Sequence, residues 1–387
     1  MDKKICFGRG GDIPHADFMR LINVSFNHGE DAEDYFLTLL PKLYREEYRP
    51  QDQNYVVTED GVPVAAVGAY DHELCVCGRT LACRGIGNVA VHPEHRSKGY
   101  MNTAMDAAMK DMISDGVVLS ALSGRRQRYR YFGYDNTGLK YTYSISRENI
   151  RHTFGDLSSP YSVREITDPA DTLIDSIASL SRRAPAAPIR ERSRYLDIAR
   201  SWHSRLLAIL DGERFVGYCI LDRGNSVSEI EVADERELSG CLRTLFASLG
   251  EGYSITLPPD RVGYRRELDM LAEKVTLTTA CNFNVLNYRA VIDAFLSLKL
   301  SYSTLPDGEM TLLIHGYAGD ERVKIVLRDG RALVEYVDRS TPIDCELGHA
   351  EALSLIFSPM SAAREQASEL ARLWFPLPLY IPRADKV

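Results

Sequence analysis

Long apolar runs are missing from this chain of 387 residues. None approaches the roughly 20 residues that a membrane-spanning helix needs, so no membrane span is expected. The opening MDKKICFGRG also lacks the apolar stretch of a secretory signal, which leaves the cytoplasm as the expected location. A disulfide framework is absent too: eight cysteines are scattered rather than framed, as reduced thiols would be. Cys75, Cys77 and Cys83 lie in the strand-like ELCVCGRTLACRGIG with no second cluster of ligands nearby. They read as buried thiols, and no metal site is expected. Positive charge is not in excess either, since 46 Lys and Arg stand against 54 Asp and Glu, a net −8. That balance speaks against a nucleic-acid partner and suits a cationic ligand. Low-complexity segments are lacking as well.

What remains is the composition of a soluble globular protein, 45% hydrophobic and 26% charged. Its length exceeds one ordinary core, so two or three domains are expected. Three stretches share one local pattern: NYVVTEDGVPVAAVGAY, LLAILDGERFVGYCIL and RVKIVLRDGRALVEYV. Each reads as strand, Asp-Gly turn, strand, because glycine supplies the positive φ of a tight hairpin. Their spacing predicts three consecutive α+β units over 1–150, 151–286 and 287–387.

In the first unit helices are predicted near His15 to Phe26 and near Asp31 to Tyr44. A third runs from about Met101 to Asp115, where Met101, Ala104, Met105, Ala108, Met109 and Met112 recur at three- and four-residue steps. These define one buried stripe, closed by Gly116. The methionines read as core filling rather than a ligand stripe. The second unit repeats strand, loop and helix in SEIEVADERELSGCLRTLFASLG, but with Asp234, Glu235 and Glu237 in its loop. Such a loop would repel phosphate, so this unit reads as a structural echo of the first. The third unit ends in SAAREQASELARLWF, a predicted helix halted by Pro376, and in PLPLYIPRADKV. Three prolines forbid a helix there and predict an extended tail lying on another surface.

The segment VAVHPEHRSKGYMNTAMDAAM, residues 89–109, places Arg96, Lys98 and Gly99 at the mouth of the Met-rich helix. A helix N-terminus offers unpaired N–H groups and a partial positive charge, so it seats anions. Gly99 lets backbone approach closely, while Arg96 and Lys98 can neutralise the anion. Upstream, Gly85 and Gly87 are expected to weaken regular pairing and let the strand splay. A splayed strand exposes amides to a ligand with amides of its own. An amide-bearing arm on a pyrophosphate describes coenzyme A.

Residue for residue, VAVHPEHRSKGYM resembles motif A of the GNAT superfamily of N-acetyltransferases, with Arg96 and Gly99 on its fixed positions and Met101 where a small residue is usual. The resemblance implies acetyl-CoA as co-substrate, its pyrophosphate on the amides of Ser97, Lys98, Gly99, Tyr100 and Met101. The pantetheine arm would lie along Val89, Ala90 and Val91. RQRYRYFGYD resembles the superfamily's Tyr-x-x-x-Gly-Phe/Tyr signature through Tyr129, Gly133 and Tyr134, which implies Tyr129 as the acid that protonates the departing thiolate. Tyr131 is the fallback. The whole layout resembles the Eis (enhanced intracellular survival) type: an active GNAT unit, a degenerate one and a sterol-carrier-like C-terminal unit. The implied fold class is α+β (α/β), tandem GNAT folds with mixed, splayed central sheets. The type implies a homo-oligomer, trimer or hexamer, and a catalytic base supplied by the chain's own terminal carboxylate, here Val387.

The residues agree with that last point, since RGIGNVAV offers no glutamate on the strand where many GNAT enzymes have one. The oxyanion would bind a backbone N–H of the splayed strand, that of Val89. For the acceptor, a small-molecule or peptide amine such as an aminoglycoside, polyamine or lysine side chain, Asp385, Glu30 and Asp31 are candidates. Glu33 and Asp34 stand beside them, and these acids also suit a solvated helix N-terminus. His92 and His95 flank the phosphate loop, where exposed histidines are common. Two other readings stand alongside: a non-catalytic CoA- and lipid-binding protein, and a transferase using a longer acyl-CoA.

Overall fold

The computed structural model describes residues 4–26, 34–155, 159–249 and 252–387. After β1 (Ile5–Arg9) come α1 (His15–Ser25), α2 (Tyr35–Leu39) and α3 (Pro41–Tyr44). The single helix predicted up to Tyr44 is broken at Leu40, whose φ of −134° leaves the helical region. The following Pro41 explains the break, since its ring disfavours helical geometry in the residue before it. The hairpin of β2 (Asn54–Glu59) and β3 (Val62–Val76) turns on Asp60 and Gly61, at φ 51° and 85°. Asp211-Gly212 and Asp329-Gly330 turn the other two expected hairpins, with Gly212, Asp329 and Gly330 at positive φ.

β4 (Arg79–Val91) follows, then α4 (Tyr100–Ser114), β5 (Leu119–Leu122) and β6 (Asp135–Thr137). The stripe of α4 is buried as its spacing demands, with Ala104, Met105, Ala108, Met109 and Met112 at most 1% exposed. The first sheet runs β1-β2-β3-β4-β5, then strand Cys281–Val285, then β6. Among its described strands only β4 and β5 are parallel, the pair joined by the α4 crossover. A second seven-stranded sheet contains strands Lys140–Ile145, Ser226–Val232 and Tyr253–Leu257 near its middle.

Sheet membership is exchanged across the positions expected as unit boundaries. Strand Lys140–Ile145, inside the expected first unit, pairs with Tyr253–Leu257 and Lys274–Thr278 of the second sheet. Strand Cys281–Val285, inside the expected second unit, lies between β5 and β6. The exchange gives the short apolar β5 a partner on its otherwise open edge.

The third sheet orders strands Arg331–Tyr336, Gly319–Arg328, Gly308–Gly316 and Cys345–Gly348. Helix Tyr288–Tyr302 follows the inserted strand directly and packs against both the first and the third sheet. Val291, Phe295 and Leu298 are fully buried there, with Leu74 and Leu119 on one side and Leu312 and Ile325 on the other. Each such side chain contributes about 2 kcal/mol by leaving water. The segment before the tail forms two short helices, Ala363–Gln366 and Glu369–Trp374, rather than one. Ser368 ends any continuation, its hydroxyl accepting from the Ala371 N–H as an N-cap. From Pro376 to Val387 the chain is extended apart from one turn at Arg383–Asp385, as its prolines predict.

Candidate active site

The parallel pairing of β4 with β5 runs from Cys83 opposite Leu119 to Ile86 opposite Leu122 and stops. β4 continues to Val91, so Gly87 to Val91 have β3 on one side and, among the described residues, no strand on the other. A bulge between Ala66 and Gly68 of the β3–β4 register bends this stretch, with Asn88 at φ 51°. The Asn88 amide holds the bend by donating to Asn54 Oδ1 at 2.9 Å. Asn54, wholly buried, donates in turn to the Tyr70 hydroxyl at 3.1 Å. Bulge and short β5 thus make the fork.

Gly85 and Gly87 have a different task from the one their presence suggested. Gly85 keeps regular partners on both sides, Tyr70 and Ala121. A Cβ there would lie 2.6 Å from Val387 Cγ2, and one at Gly87 would lie 3.2 Å from Val387 Cβ. The two glycines form the trough in which the last residue of the chain rests.

Beyond Val91 a turn at Pro93–His95 leads through Arg96, Ser97 and Lys98 to Gly99, which at φ 82° is the N-cap of α4. Among the described residues no side chain caps this helix, so its first amides suit an anion. Arg96 is exposed, with Nη2 3.3 Å from the Ser25 carbonyl. Lys98 is not a bare cation: its Nζ lies 2.7 Å from Oε1 of the buried Glu59. The same oxygen accepts from the Tyr100 hydroxyl at 2.7 Å and meets His95 Nδ1 at 2.8 Å. Glu59 therefore fixes the loop from below. His92, Glu94 and His95 bring three possible metal-binding atoms within 4.8 Å. His95 Nδ1, however, is engaged by Glu59 and sits 3.3 Å from the Lys98 ammonium, a poor setting for a cation.

Two groups flank the fork from opposite faces of the sheet. Tyr129, ending the short helix after β5, is 5% exposed and packs with Ile86, Leu122 and Met105 on the α4 face. Burial raises its phenol pKa, with Arg128 pulling the other way, so the hydroxyl keeps its proton at neutral pH. Tyr131 is 76% exposed. Val387 packs on the other face with Tyr70, Ala66 and the α1 residues Phe18 and Ile22. Alternation of side chains along β3 and β4 separates the two environments.

The tail is held by buried charge. Lys42 of α3, 4% exposed, donates to the carbonyls of Ala384 and Lys386, each at 2.6 Å. Trp202 Nε1 also donates to Lys386 O, at 3.2 Å. Burial lowers the Lys42 pKa to about 7, against the pull of Asp385. Asp385 accepts two bonds from Arg190, at 2.9 and 2.6 Å, and Arg190 bonds Glu229 at 2.8 and 2.7 Å. Burial alone would raise the Asp385 carboxyl, but Arg190 outweighs it and holds the pKa below the ordinary value.

A cavity of about 480 Å³ opens beside Val387, lined by Tyr70, His72 and Asp385 among others. Asp71, Glu73, Asp115, Glu191 and Asp385 border it against three cationic groups, Lys42, Arg84 and Arg194. Asp71 and Asp115 both pair with Arg84. Asp385, expected as an acceptor contact, lines this space, yet both its oxygens are committed to Arg190. Glu30, Asp31 and Glu33 lie outside the described residues. Sequence reasoning missed Lys42, Arg190 and Glu229, whose links to one another and to the tail span 39 to 344 residues and leave no local pattern.

Residues 14–137 match the family model described as an acetyltransferase (GNAT) domain. Among solved structures, a GCN5-related N-acetyltransferase from Kribbella flavida is similar at 18% identity with a TM-score of 0.68, over 100% of this chain and 99% of that one. A GCN5-related N-acetyltransferase from Anabaena variabilis ATCC 29413 gives 12% identity and a TM-score of 0.68, over 98% of each chain. Eis1 from Mycobacterium abscessus gives 14% identity and a TM-score of 0.62, over 99% of this chain and 100% of that one. Comparison with curated proteins found no match. At such identities the solved structures establish the mixed α/β fold along the whole chain, and the match to the family model is confined to residues 14–137. Among the described residues no helix is long and apolar enough to cross a membrane.

Proposed function

We propose that the chain, whose residues 14–137 match an acetyltransferase (GNAT) domain, moves an acetyl group from acetyl-CoA to a primary amine by direct transfer. The observation that carries this reading is the fork itself. Gly87 to Val91 present an unpaired strand edge that leads straight to the uncapped N-terminus of α4, with Tyr129 and Val387 on opposite faces. The pyrophosphate would take the amides from Ser97 to Met101, neutralised by the exposed Arg96, while the pantetheine amides pair with Val89 to Val91. The edge and loop present the donor groups that such a ligand needs, which supports the fit.

The amine approaches through the acid-rich cavity beside Val387. As an ammonium it has no lone pair, so it first gives a proton to the terminal carboxylate, directly or through water. The nitrogen then attacks the acyl carbon, and the oxyanion is held by the Val89 N–H. Collapse breaks the carbon–sulfur bond, Tyr129 supplies the proton to the sulfur, and the extra proton left on the amide nitrogen returns through water to the tyrosinate. Fixing donor and amine on the two sides of one gap supplies much of the acceleration. Carboxylates outnumber cations around the cavity, which supports a cationic acceptor.

The test is thiol release from acetyl-, butyryl- and myristoyl-CoA with a panel of aminoglycosides, polyamines and lysine peptides. Release with acetyl-CoA that depends on an amine is expected. Stabilisation by acetyl-CoA without release for any amine would overturn catalysis, and a preference for myristoyl-CoA would change the donor.

A further inference from the structure

The second sheet has a fork of its own, and it is closed. Strands Ser226–Val232 and Tyr253–Leu257 pair in parallel at Ser226–Ser254 and Val227–Ile255, after which the first strand runs on toward Val232. The space where β4 is open holds carboxylates here, Glu229 and Glu231. Glu231 is answered by Arg261, and Glu229 by Arg190 and the Tyr218 hydroxyl, the latter at 2.6 Å. Tyr380 and Pro382 of the tail line the same space. Arg190 is 3% exposed in its side chain and forks between Glu229 of this strand and Asp385 of the tail.

From this arrangement we propose that the second fork serves as the socket of the catalytic tail, with Arg190 as a positioning residue that sets the Val387 carboxylate through Asp385. The inference rests on the acetyl-transfer reading above and gives the second unit a task in it. An extended segment with prolines has few internal hydrogen bonds to hold its end in place. A terminal base must nevertheless stay within about 0.5 Å of its working position. One guanidinium with parallel bonds to two carboxylates fixes direction as well as distance, which a lysine cannot do. Lys42 grips the same turn from the first unit through Ala384 and Lys386. The tail is thus clamped between units, and Val387, two residues beyond Asp385, drops onto Gly85 and Gly87. Removing one partner of a buried pair leaves a charge uncompensated and costs about 3–5 kcal/mol. The test therefore includes Asp385→Asn, after which Arg190 keeps Glu229 as its ion-pair partner.

Full-length Asp385→Asn and the double variant Arg190→Met/Glu229→Gln are compared with wild type for kcat, for KM of acetyl-CoA, and for release of Val387 by carboxypeptidase. A misplacement of about 1 Å costs on the order of 100-fold in rate. The expected result is a fall in kcat of about 10- to 100-fold, unchanged KM for acetyl-CoA and faster loss of Val387. Unchanged kcat and unchanged protection of Val387 would overturn the proposal. So would an equal loss of acetyl-CoA affinity, the mark of general damage to the fold. If wild type acetylates no amine, the acetyl-transfer reading fails. The carboxypeptidase rates still decide the socket, since they need no turnover.

Discussion

The two forks of this molecule share a skeleton and differ in what fills it. In the first, β4 runs past β5 with Gly87, Asn88 and short apolar side chains, and the helix beyond begins at Gly99, with no side-chain cap among the described residues. In the second, the Val232 N–H already donates to the Tyr264 hydroxyl at 2.9 Å. The Asp234 carboxylate there accepts from the Arg236 N–H at 3.0 Å and pairs with its guanidinium. One loop offers donors to an incoming anion. The other supplies the anion from its own chain. Parallel strands and a crossover helix make a place for a ligand, and a few polar side chains decide whether that place stays vacant.

Substitutions break this comparison in order of expected effect. Tyr129→Phe removes the proton for the leaving sulfur and is expected to lower kcat by about 10²- to 10⁴-fold with little change in KM for acetyl-CoA. The equivalent loss of a hydroxyl in the closed fork, Tyr264→Phe, is expected to leave kcat alone. Steady-state thiol release reads both. Next in size is Gly85→Val, whose side chain would occupy the place of Val387 Cγ2, 2.6 Å from a Cβ at that position. Its kcat should fall about 10-fold or more while acetyl-CoA still binds. Trimming Lys386 and Val387 should reproduce that loss, and unchanged turnover after trimming would remove the terminal base from the account.

Smaller effects concern the loops and the clamp. Arg96→Ala is expected to weaken acetyl-CoA binding by up to about fivefold, since an exposed cation is worth at most about 1 kcal/mol. Arg236→Ala in the second loop should leave titration by calorimetry unchanged. A further effect is one of pH. Burial brings Lys42 from its ordinary 10.5 to about 7 in the folded chain. Between those values the unfolded chain binds more protons than the folded one, so this group makes stability rise with pH from about 7 to about 10.5. Lys42→Met should flatten that part of the melting-temperature profile. An unaltered slope would mean that the ammonium is not buried.

Much of the first fork was legible because its signals are local. Asp-Gly pairs, the methionine stripe of α4 and Gly99 before it each state their geometry within a few residues. The roles proposed for tail and tyrosine come from resemblance alone, whereas the extended course of the tail was legible in its prolines. The partners of the site were not legible. Glu59 under Lys98, Lys42 on the Ala384 and Lys386 carbonyls, and Arg190 between Glu229 and Asp385 join residues 39 to 344 positions apart. Their pairing is decided by the fold, not by spacing. Gly85 and Gly87 were read as looseness in a strand, whereas they are room for another part of the chain, which only the packed structure reveals. The helix expected to reach Tyr44 failed at Pro41, a breaker whose effect outweighed the apolar periodicity around it.

A crystal structure with acetyl-CoA bears most directly on all of this. The account predicts one cofactor per chain, its pyrophosphate on the amides between Ser97 and Met101 and its thioester between Tyr129 and Val387. A cofactor seated on the second fork, or a first fork found shut by packing, would contradict it.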